Sequence, residues 1–375
     1  MKLADFELER YFARYEFNAP YLLCCSDCET ITIQDILQLE GEASVTDFMN
    51  LALGYTEAPG SKGLRGQIAG LYKNMGEENI LVTSGAEEAI FIFMNAVLQA
   101  GDHVIVQYPC YQSLAEIAAA IGCEVSRWEM KEADHWESDF GFLRQKIRTN
   151  TRAIIVNMPH NPTGYLMPHK EWINLVDLLR ENNILLFSDE VYRFLEYDKN
   201  DCLEAACDIY ENAVSLGVMS KAYGLAGLRI GWVATGNHKI LARMAAFKDY
   251  TTICNSAPSE FLAAIALKHH DILVQRNLDI IKQNLALLDE FFKRQAHLFS
   301  WVRPKAGPIA FPSLSGKGGA DKFCSDLVTN RGVLLLPASC YGFGDQNFRI
   351  GFGRQSLPQA LERLDNYLQD TGGRF

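Results

Sequence analysis

Through the middle of the chain, short apolar runs alternate with longer stretches whose apolar positions recur at helical spacing. The runs Val104–Gln107, Glu124–Trp128, Ala153–Asn157, Ile184–Ser188, Ala213–Val218 and Ile230–Ala234 predict strands. The stretches Glu87–Gln99, Gln112–Ile121, Lys170–Glu181 and Lys239–Thr251 predict the helices between them. Strands that are apolar throughout, rather than alternating, suit a mostly parallel sheet covered by helices on both faces. The pattern therefore predicts a three-layer, doubly wound α/β domain over residues 41–257. From 258 onward the texture changes. A long helical stretch covers 258–300, followed by Pro- and Gly-punctuated segments at Pro304–Pro312 and Ser315–Gly319. Apolar runs at Val333–Leu336 and Phe348–Phe352 precede a closing helix at Leu357–Leu368. This predicts a smaller α+β domain built from 258–375, with residues 1–40 assigned to it.

Length and charge narrow the class. At ~100–200 residues per domain, 375 residues fit two domains. A content of 48% hydrophobic and 22% charged residues excludes disorder and fibre. Thirty-five Lys+Arg against 46 Asp+Glu give a net charge of −11, which disfavours nucleic acid and anionic membrane as partners. A local cationic pocket remains compatible with it. Lys2, Asp5, Glu7, Glu9, Arg10, Arg14 and Glu16 leave no apolar signal core in the first twenty residues, and no window approaches ~18 apolar residues. A cytoplasmic location and reduced thiols are expected, since ten cysteines in this length are not disulfide-dense. Cys24, Cys25 and Cys28 have a zinc-like spacing, but no second pair follows, so no metal is expected.

Four segments carry candidate chemistry. In Ser220-Lys221-Ala222-Tyr223-Gly224-Leu225-Ala226-Gly227-Leu228-Arg229, a lysine directly follows an apolar run, where it is costly unless used. In Leu185-Leu186-Phe187-Ser188-Asp189-Glu190-Val191-Tyr192, a carboxylate ends a strand at the edge where open α/β sheets bind ligands, though it could equally cap the next segment. Pro159-His160-Asn161-Pro162-Thr163-Gly164 is turn chemistry after another strand. Thr83-Ser84-Gly85-Ala86-Glu87 runs from a small-residue loop into a helix start, whose free N–H groups suit a phosphate. The glycines at 224, 227 and 231 do not spell a dinucleotide fingerprint.

In their order, and with Asn161, Asp189 and Lys221 separated by 28 and 32 residues, these strings resemble the motifs of the class I/II aminotransferases. Those are aspartate-aminotransferase-like enzymes of fold type I that use pyridoxal 5′-phosphate. The resemblance runs from Tyr55 to Arg349. It implies that Lys221 forms the internal aldimine and later moves the Cα proton, and that Asp189 keeps the pyridine nitrogen protonated. Tyr192 and Asn161 match the pair bonded to the cofactor's phenolic oxygen, and Tyr111 the aromatic stacked on the ring. The amides of Gly85, Ala86 and Glu87, with Ser220 and Arg229, match the phosphate cup. Arg349 matches the arginine that grips the substrate carboxylate, beside Asn161. Tyr55 matches the tyrosine that reaches the phosphate of a neighbouring subunit, which implies a homodimer with shared sites.

Three departures from the family pattern stand out, the first bearing on the phosphate and the other two on specificity. Val218 stands where many relatives have a phosphate-binding serine, with Ser84 and Ser220 as candidate replacements. Leu22–Glu29 replaces the usual Leu-x-x-Gly-x-Pro stretch. Around Thr251–Ser256, where dicarboxylate-specific relatives supply a second arginine, there is Asn255 and no arginine, which speaks against aspartate or glutamate as amino donor. The implied activity is transfer of an amino group between an amino acid and a 2-oxo acid. The alternative is a lyase or cyclase on the same scaffold. The N-terminal replacement is similar to the capreomycidine-synthase-like branch, in which a hydroxylated arginine derivative is dehydrated and cyclised. A non-catalytic cofactor-binding regulator is a remote alternative, against which the intact Lys221, Asp189 and Arg349 argue.

Overall fold

A twisted seven-stranded sheet forms the centre of the computed structural model, which describes residues 2–315 and 318–373. Its strands are β1 (Ile80–Thr83), β2 (His103–Tyr108), β3 (Glu124–Glu129), β4 (Thr151–Asn157), β5 (Leu185–Asp189), β6 (Ala213–Val218) and β7 (Gly231–Ala234). They lie in the order β1-β7-β6-β5-β4-β2-β3. All neighbours are parallel except β7, which runs antiparallel to both β1 and β6. Successive residues of one strand feed two apolar layers. Ala153 and Ile155 of β4 pack into one, and Ile154 and Val156 into the other. That is why the central strands read as continuous apolar runs. The edge strand β3 buries only Trp128 fully and is correspondingly more polar.

The predicted α/β class and its mostly parallel sheet are thus observed. β1 was not anticipated: its four residues run straight into the Ser84-Gly85 turn, and the whole segment reads as a loop. The single helical stretch expected over 258–300 is two helices, Ala257–Lys268 and His270–Arg294, broken at His269. Apolar periodicity continues across the break and conceals it. Phe299–Ser300 pairs instead with Ser313–Leu314 as a short ribbon. At this break His269 Nε2 lies 2.6 Å from Glu40 Oε1, and His270 Nδ1 lies 2.8 Å from the Tyr223 hydroxyl. Gly316 and Lys317, within the punctuated Ser315–Gly319 segment, lie outside the described residues.

The C-terminal part holds a small antiparallel sheet with Phe348–Gly351 between Ile309–Ala310 and Leu336–Pro337. Tyr21–Leu22 adds to the same region by pairing in parallel with Val333–Leu334. The following residues, 23–29, form a strap fixed at both ends. Leu23 N–H donates to Leu334 O at 3.0 Å, Gly351 N–H to Leu23 O at 2.9 Å, and Glu29 N–H to Gly353 O at 2.8 Å. A Cβ on Gly351 would lie 2.0 Å from Cys25 O, so the strap reaches this depth only because residue 351 has no side chain. The helix Glu7–Tyr15 lies above the strap and is tied down by Tyr11, whose hydroxyl donates to Leu335 O at 2.9 Å. Among the described residues no helix is long and apolar enough to cross a membrane.

Candidate active site

The carboxyl ends of β4, β5 and β6 bring three predicted groups to one edge of the sheet. β4 ends at Asn157, whose Nδ2 donates to Asp189 O at 2.9 Å and whose Oδ1 accepts from Asn161 N–H at 2.6 Å. That residue, unnoticed in the sequence, fixes the Met158–Gly164 turn against β5. His160 stays inside the turn with Nδ1 2.8 Å from Thr163 Oγ1, and burial pushes its imidazole down to about 3. It packs the turn and does not line the cavity. Asp189 ends β5 and is buried, with one carboxylate oxygen accepting from Val191 N–H at 3.2 Å. Desolvation raises its carboxyl to about 7 against the opposing effects of that N–H and Lys221. A carboxylate held there without a full-strength cation partner is suited to a protonated heterocyclic nitrogen.

Lys221 follows β6 in a tight Gly-containing loop. Its Nζ donates to Ser26 Oγ at 2.8 Å and lies 5.8 Å from the Tyr192 ring centroid. Desolvation holds the amine below the ordinary lysine range; Asp27 and Asp189 oppose the shift and Arg349 reinforces it. The Tyr192 hydroxyl is buried and has no well-formed hydrogen bond among the described residues; desolvation raises its phenol above the ordinary range, against the opposing effects of Arg349 and Ser26. An orphaned buried hydroxyl facing a cavity marks the place of a missing acceptor.

Arg349 is 1% exposed, yet its partners are all neutral. Nε and Nη2 donate to Cys24 O at 3.0 and 2.8 Å, while Nη1 donates to Tyr341 Oη at 2.6 Å and Asn161 Oδ1 at 3.2 Å. Among the described residues no carboxylate pairs with it. By contrast, Arg354 holds Asp27 in a two-pronged pair at 2.9–3.2 Å.

The opposite end of the cavity is a helix N-terminus. Gly85 opens the helix Gly85–Val97 with φ +80°, and a Cβ there would lie 2.5 Å from Arg229 Nη2. The arginine fork and the first amides of the helix therefore crowd the same space, as a bound phosphate requires. Glu87 projects beside them, its carboxyl receiving the Ser113 hydroxyl at 3.0 Å and pushed by burial up to about 7. Of the two serines considered for the position of Val218, Ser220 lines the wall and Ser84 does not.

Together these groups enclose about 350 Å³. Lys221, Asp189, Tyr192, Asn161, Tyr111 and Arg349 line the cavity, as do Ala86, Glu87, Ser220 and Arg229. Gly85 does not line it but abuts Arg229, which does. Tyr55 is not brought to the cavity of its own chain; it is 93% exposed. Ser26 and Asp27 from the strap, and Glu9, Phe12 and Glu16 from the covering helix, also line the cavity, although no local pattern marks them as site residues. For the helix residues the signal is the helical spacing of Glu9, Phe12 and Glu16, and nothing local shows what that face covers.

The family model for aminotransferase class I and II matches residues 22–364. The chain belongs to that family. Among curated relatives, capreomycidine synthase of Streptomyces vinaceus is 29% identical over 98% of the chain and 93% of its own length. An aspartate aminotransferase of Pyrococcus horikoshii is 26% identical over 84% and 83%. Among solved structures, a PLP-dependent aminotransferase from Streptococcus suis superposes with a TM-score of 0.93 at 31% identity, covering 99% of both chains. The PLP-dependent cyclase OrfR does so at 0.91 and 27%, covering 99% of this chain and 98% of its own. This aminotransferase-family enzyme uses pyridoxal phosphate, and its cavity fits that group. The glycine-opened helix with Arg229 suits the phosphate, the orphaned Tyr192 hydroxyl a phenolic oxygen, and buried Asp189 a ring nitrogen.

Proposed function

We propose that the protein is an aminotransferase that moves an amino group between an amino acid with a basic side chain and a 2-oxo acid. The observation that carries this reading is Arg349, a fully buried guanidinium with only neutral partners, in the same cavity as a desolvated lysine amine. A buried unpaired cation is costly, and an α-carboxylate is the partner its fork fits. Bound pyridoxal phosphate supplies an electron-withdrawing ring that acidifies the Cα hydrogen of an attached amino acid. The chain's residues then have distinct tasks. Lys221 would carry the cofactor, and its amine, held below the ordinary lysine range by desolvation, would take the Cα proton once released. Asp189 keeps a proton on the ring nitrogen, and Tyr192 and Asn161 donate toward the phenolic oxygen. Arg229, Ser220 and the amides of Gly85, Ala86 and Glu87 hold the phosphate, with Tyr111 against the ring. Phe12, with its ring centroid 5.9 Å from the Arg349 guanidinium carbon, helps exclude water from the carboxylate.

The side-chain preference rests on charge. Glu9, Glu16 and Asp27 line the outer cavity, and only Asp27 has a counter-ion among the described residues. Burial and the neighbouring Asp27 raise the Glu16 carboxyl. An ammonium or guanidinium would relieve both acids, whereas a second carboxylate would add to them. Homodimerisation completes the reading. Met49, Leu53, Tyr55, Tyr250 and Ile253 are exposed apolar side chains in segments bridged by the Thr56–Asn255 hydrogen bond, and they suit the same face of a second copy. Residues 41–257 then act as the cofactor domain, with 1–40 and 258–375 as the part that closes over it.

A second reading is cyclisation. Full-length similarity to capreomycidine synthase and OrfR, together with the acidic outer cavity, favours it. A single-turnover reaction with arginine, ornithine and their β-hydroxylated forms separates the two. Transamination leaves pyridoxamine phosphate and oxo acid in equal amounts. A cyclised amino acid with the cofactor returned unchanged would replace the first reading by the second.

A further inference from the structure

The strap at residues 23–29 meets both halves of the proposed chemistry. On one side Cys24 O accepts two donors of the Arg349 fork, at 3.0 and 2.8 Å. Two residues further on, Ser26 Oγ accepts from Lys221 Nζ at 2.8 Å. Lys221 is desolvated, and this is the hydrogen bond that the structure gives its amine. The strap itself cannot drift. Its ends are held by Leu334 and Gly353, Asp27 is clamped by Arg354, and Gly351 and Gly353 leave no room beneath it. A hydroxyl on such a support sets where a flexible lysine points. A serine hydroxyl also accepts from the charged amine, and hydrogen bonding to the charged form favours that form.

From this geometry we infer that Ser26 is the positioning residue for Lys221, holding the released amine toward the substrate Cα while its strap aims Arg349 at the carboxylate. The inference rests on the reading that Lys221 is the cofactor lysine. Ser26 forms no bond to substrate. It accepts from the lysine amine, and its removal leaves the amine free to turn.

The test compares Ser26→Ala and Ser26→Thr with the wild type, in the cofactor-free and loaded proteins. In the cofactor-free protein, Lys221 is titrated by carbon NMR after reductive methylation and assigned with Lys221→Ala. Ser26→Ala should lower its midpoint by about one unit, and Ser26→Thr, which keeps the hydroxyl, should restore it. In the loaded protein Ser26→Ala should reduce kcat by roughly 10- to 100-fold with KM changed by less than about threefold, because Arg349 still holds the carboxylate. An unchanged midpoint in Ser26→Ala, or a Thr variant no better than Ala on both readouts, would overturn the inference. Borohydride trapping in the same wild-type preparation keeps the parent reading separate. Trapping at another lysine overturns both readings, whereas trapping at Lys221 with wild-type behaviour in Ser26→Ala overturns this one alone.

Discussion

Arg349→Met removes a buried cation and keeps most of its volume, so it separates function from stability. In the cofactor-free protein the guanidinium is 1% exposed and faces a backbone carbonyl, a tyrosine hydroxyl and an amide oxygen. Losing it orphans Cys24 O, a cost of about 1–3 kcal/mol; the Tyr341 hydroxyl still donates to Asn161 Oδ1 at 3.0 Å. Against this stands the relief of a desolvated charge with no counter-ion, worth several kcal/mol. The balance lies between neutral and about 2 kcal/mol more stable. For a chain of this length 1 kcal/mol moves Tm by roughly 1–2 °C, so Tm should hold or rise by up to about 4 °C in a calorimetric scan. Turnover behaves oppositely. A carboxylate that loses two charge-assisted hydrogen bonds costs about 3–4 kcal/mol, so kcat/KM should fall about 10²- to 10³-fold. A Tm lowered by more than about 4 °C, or kcat/KM within threefold of wild type, would show that the arginine is structural and that the carboxylate binds elsewhere.

Asp189→Ala should retain part of the cofactor yet lose at least about 100-fold in kcat, because nothing then holds a proton on the ring nitrogen; near-normal turnover in a stopped-flow assay refutes that role. Gly85→Ala would place a Cβ 2.5 Å from Arg229 Nη2 at a φ of +80°, so cofactor affinity by equilibrium dialysis should weaken at least tenfold. Tyr55→Ala, at an exposed position, should leave Tm of the cofactor-free protein unaltered but weaken cofactor binding; unchanged affinity would remove the residue from the partner's site. Burial raises Asp189, Glu87 and Glu196 each to about 7. Folded values above unfolded ones mean a stability contribution present below about pH 4 and lost as pH climbs through 7. His160, pushed to about 3, works in the opposite direction below about pH 6.5, as do His103 and His270, both lowered by burial, while Glu16, Glu171 and Glu190, raised by burial, add to the acids. Cofactor-free protein should therefore melt lower at pH 8 than at pH 5.5, and saturating cofactor should narrow the gap by giving Asp189 a cation.

How much of this was legible in the sequence depended on whether the signal was local. The strands that end at Asn157, Asp189 and Val218 are apolar on both faces and lie within a residue or two of their expected positions. The loops that follow them carry their chemistry at fixed spacing. The other wall of the cavity is a matter of long-range packing. Ser26 approaches Lys221 across 195 positions, and Arg349 meets Cys24 across 325, so no window of sequence contains either pair. The Leu22–Glu29 segment stood out as a departure from the family pattern. That it forms a strap needs the side-chain-free Gly351 and Gly353 to be placed beneath it.

The central claim is that Lys221, rather than another lysine, holds the cofactor opposite Arg349. Borohydride reduction of the yellow loaded protein, followed by proteolysis and mass spectrometry of the fixed label, tests it directly. The account predicts a phosphopyridoxyl group on the peptide containing Lys221, and none after Lys221→Ala. A label on Lys248, a buried lysine whose amine desolvation likewise holds below the ordinary range and whose Nζ rests on Ala58 O, would contradict it. So would a reducible adduct that survives in the Lys221→Ala protein.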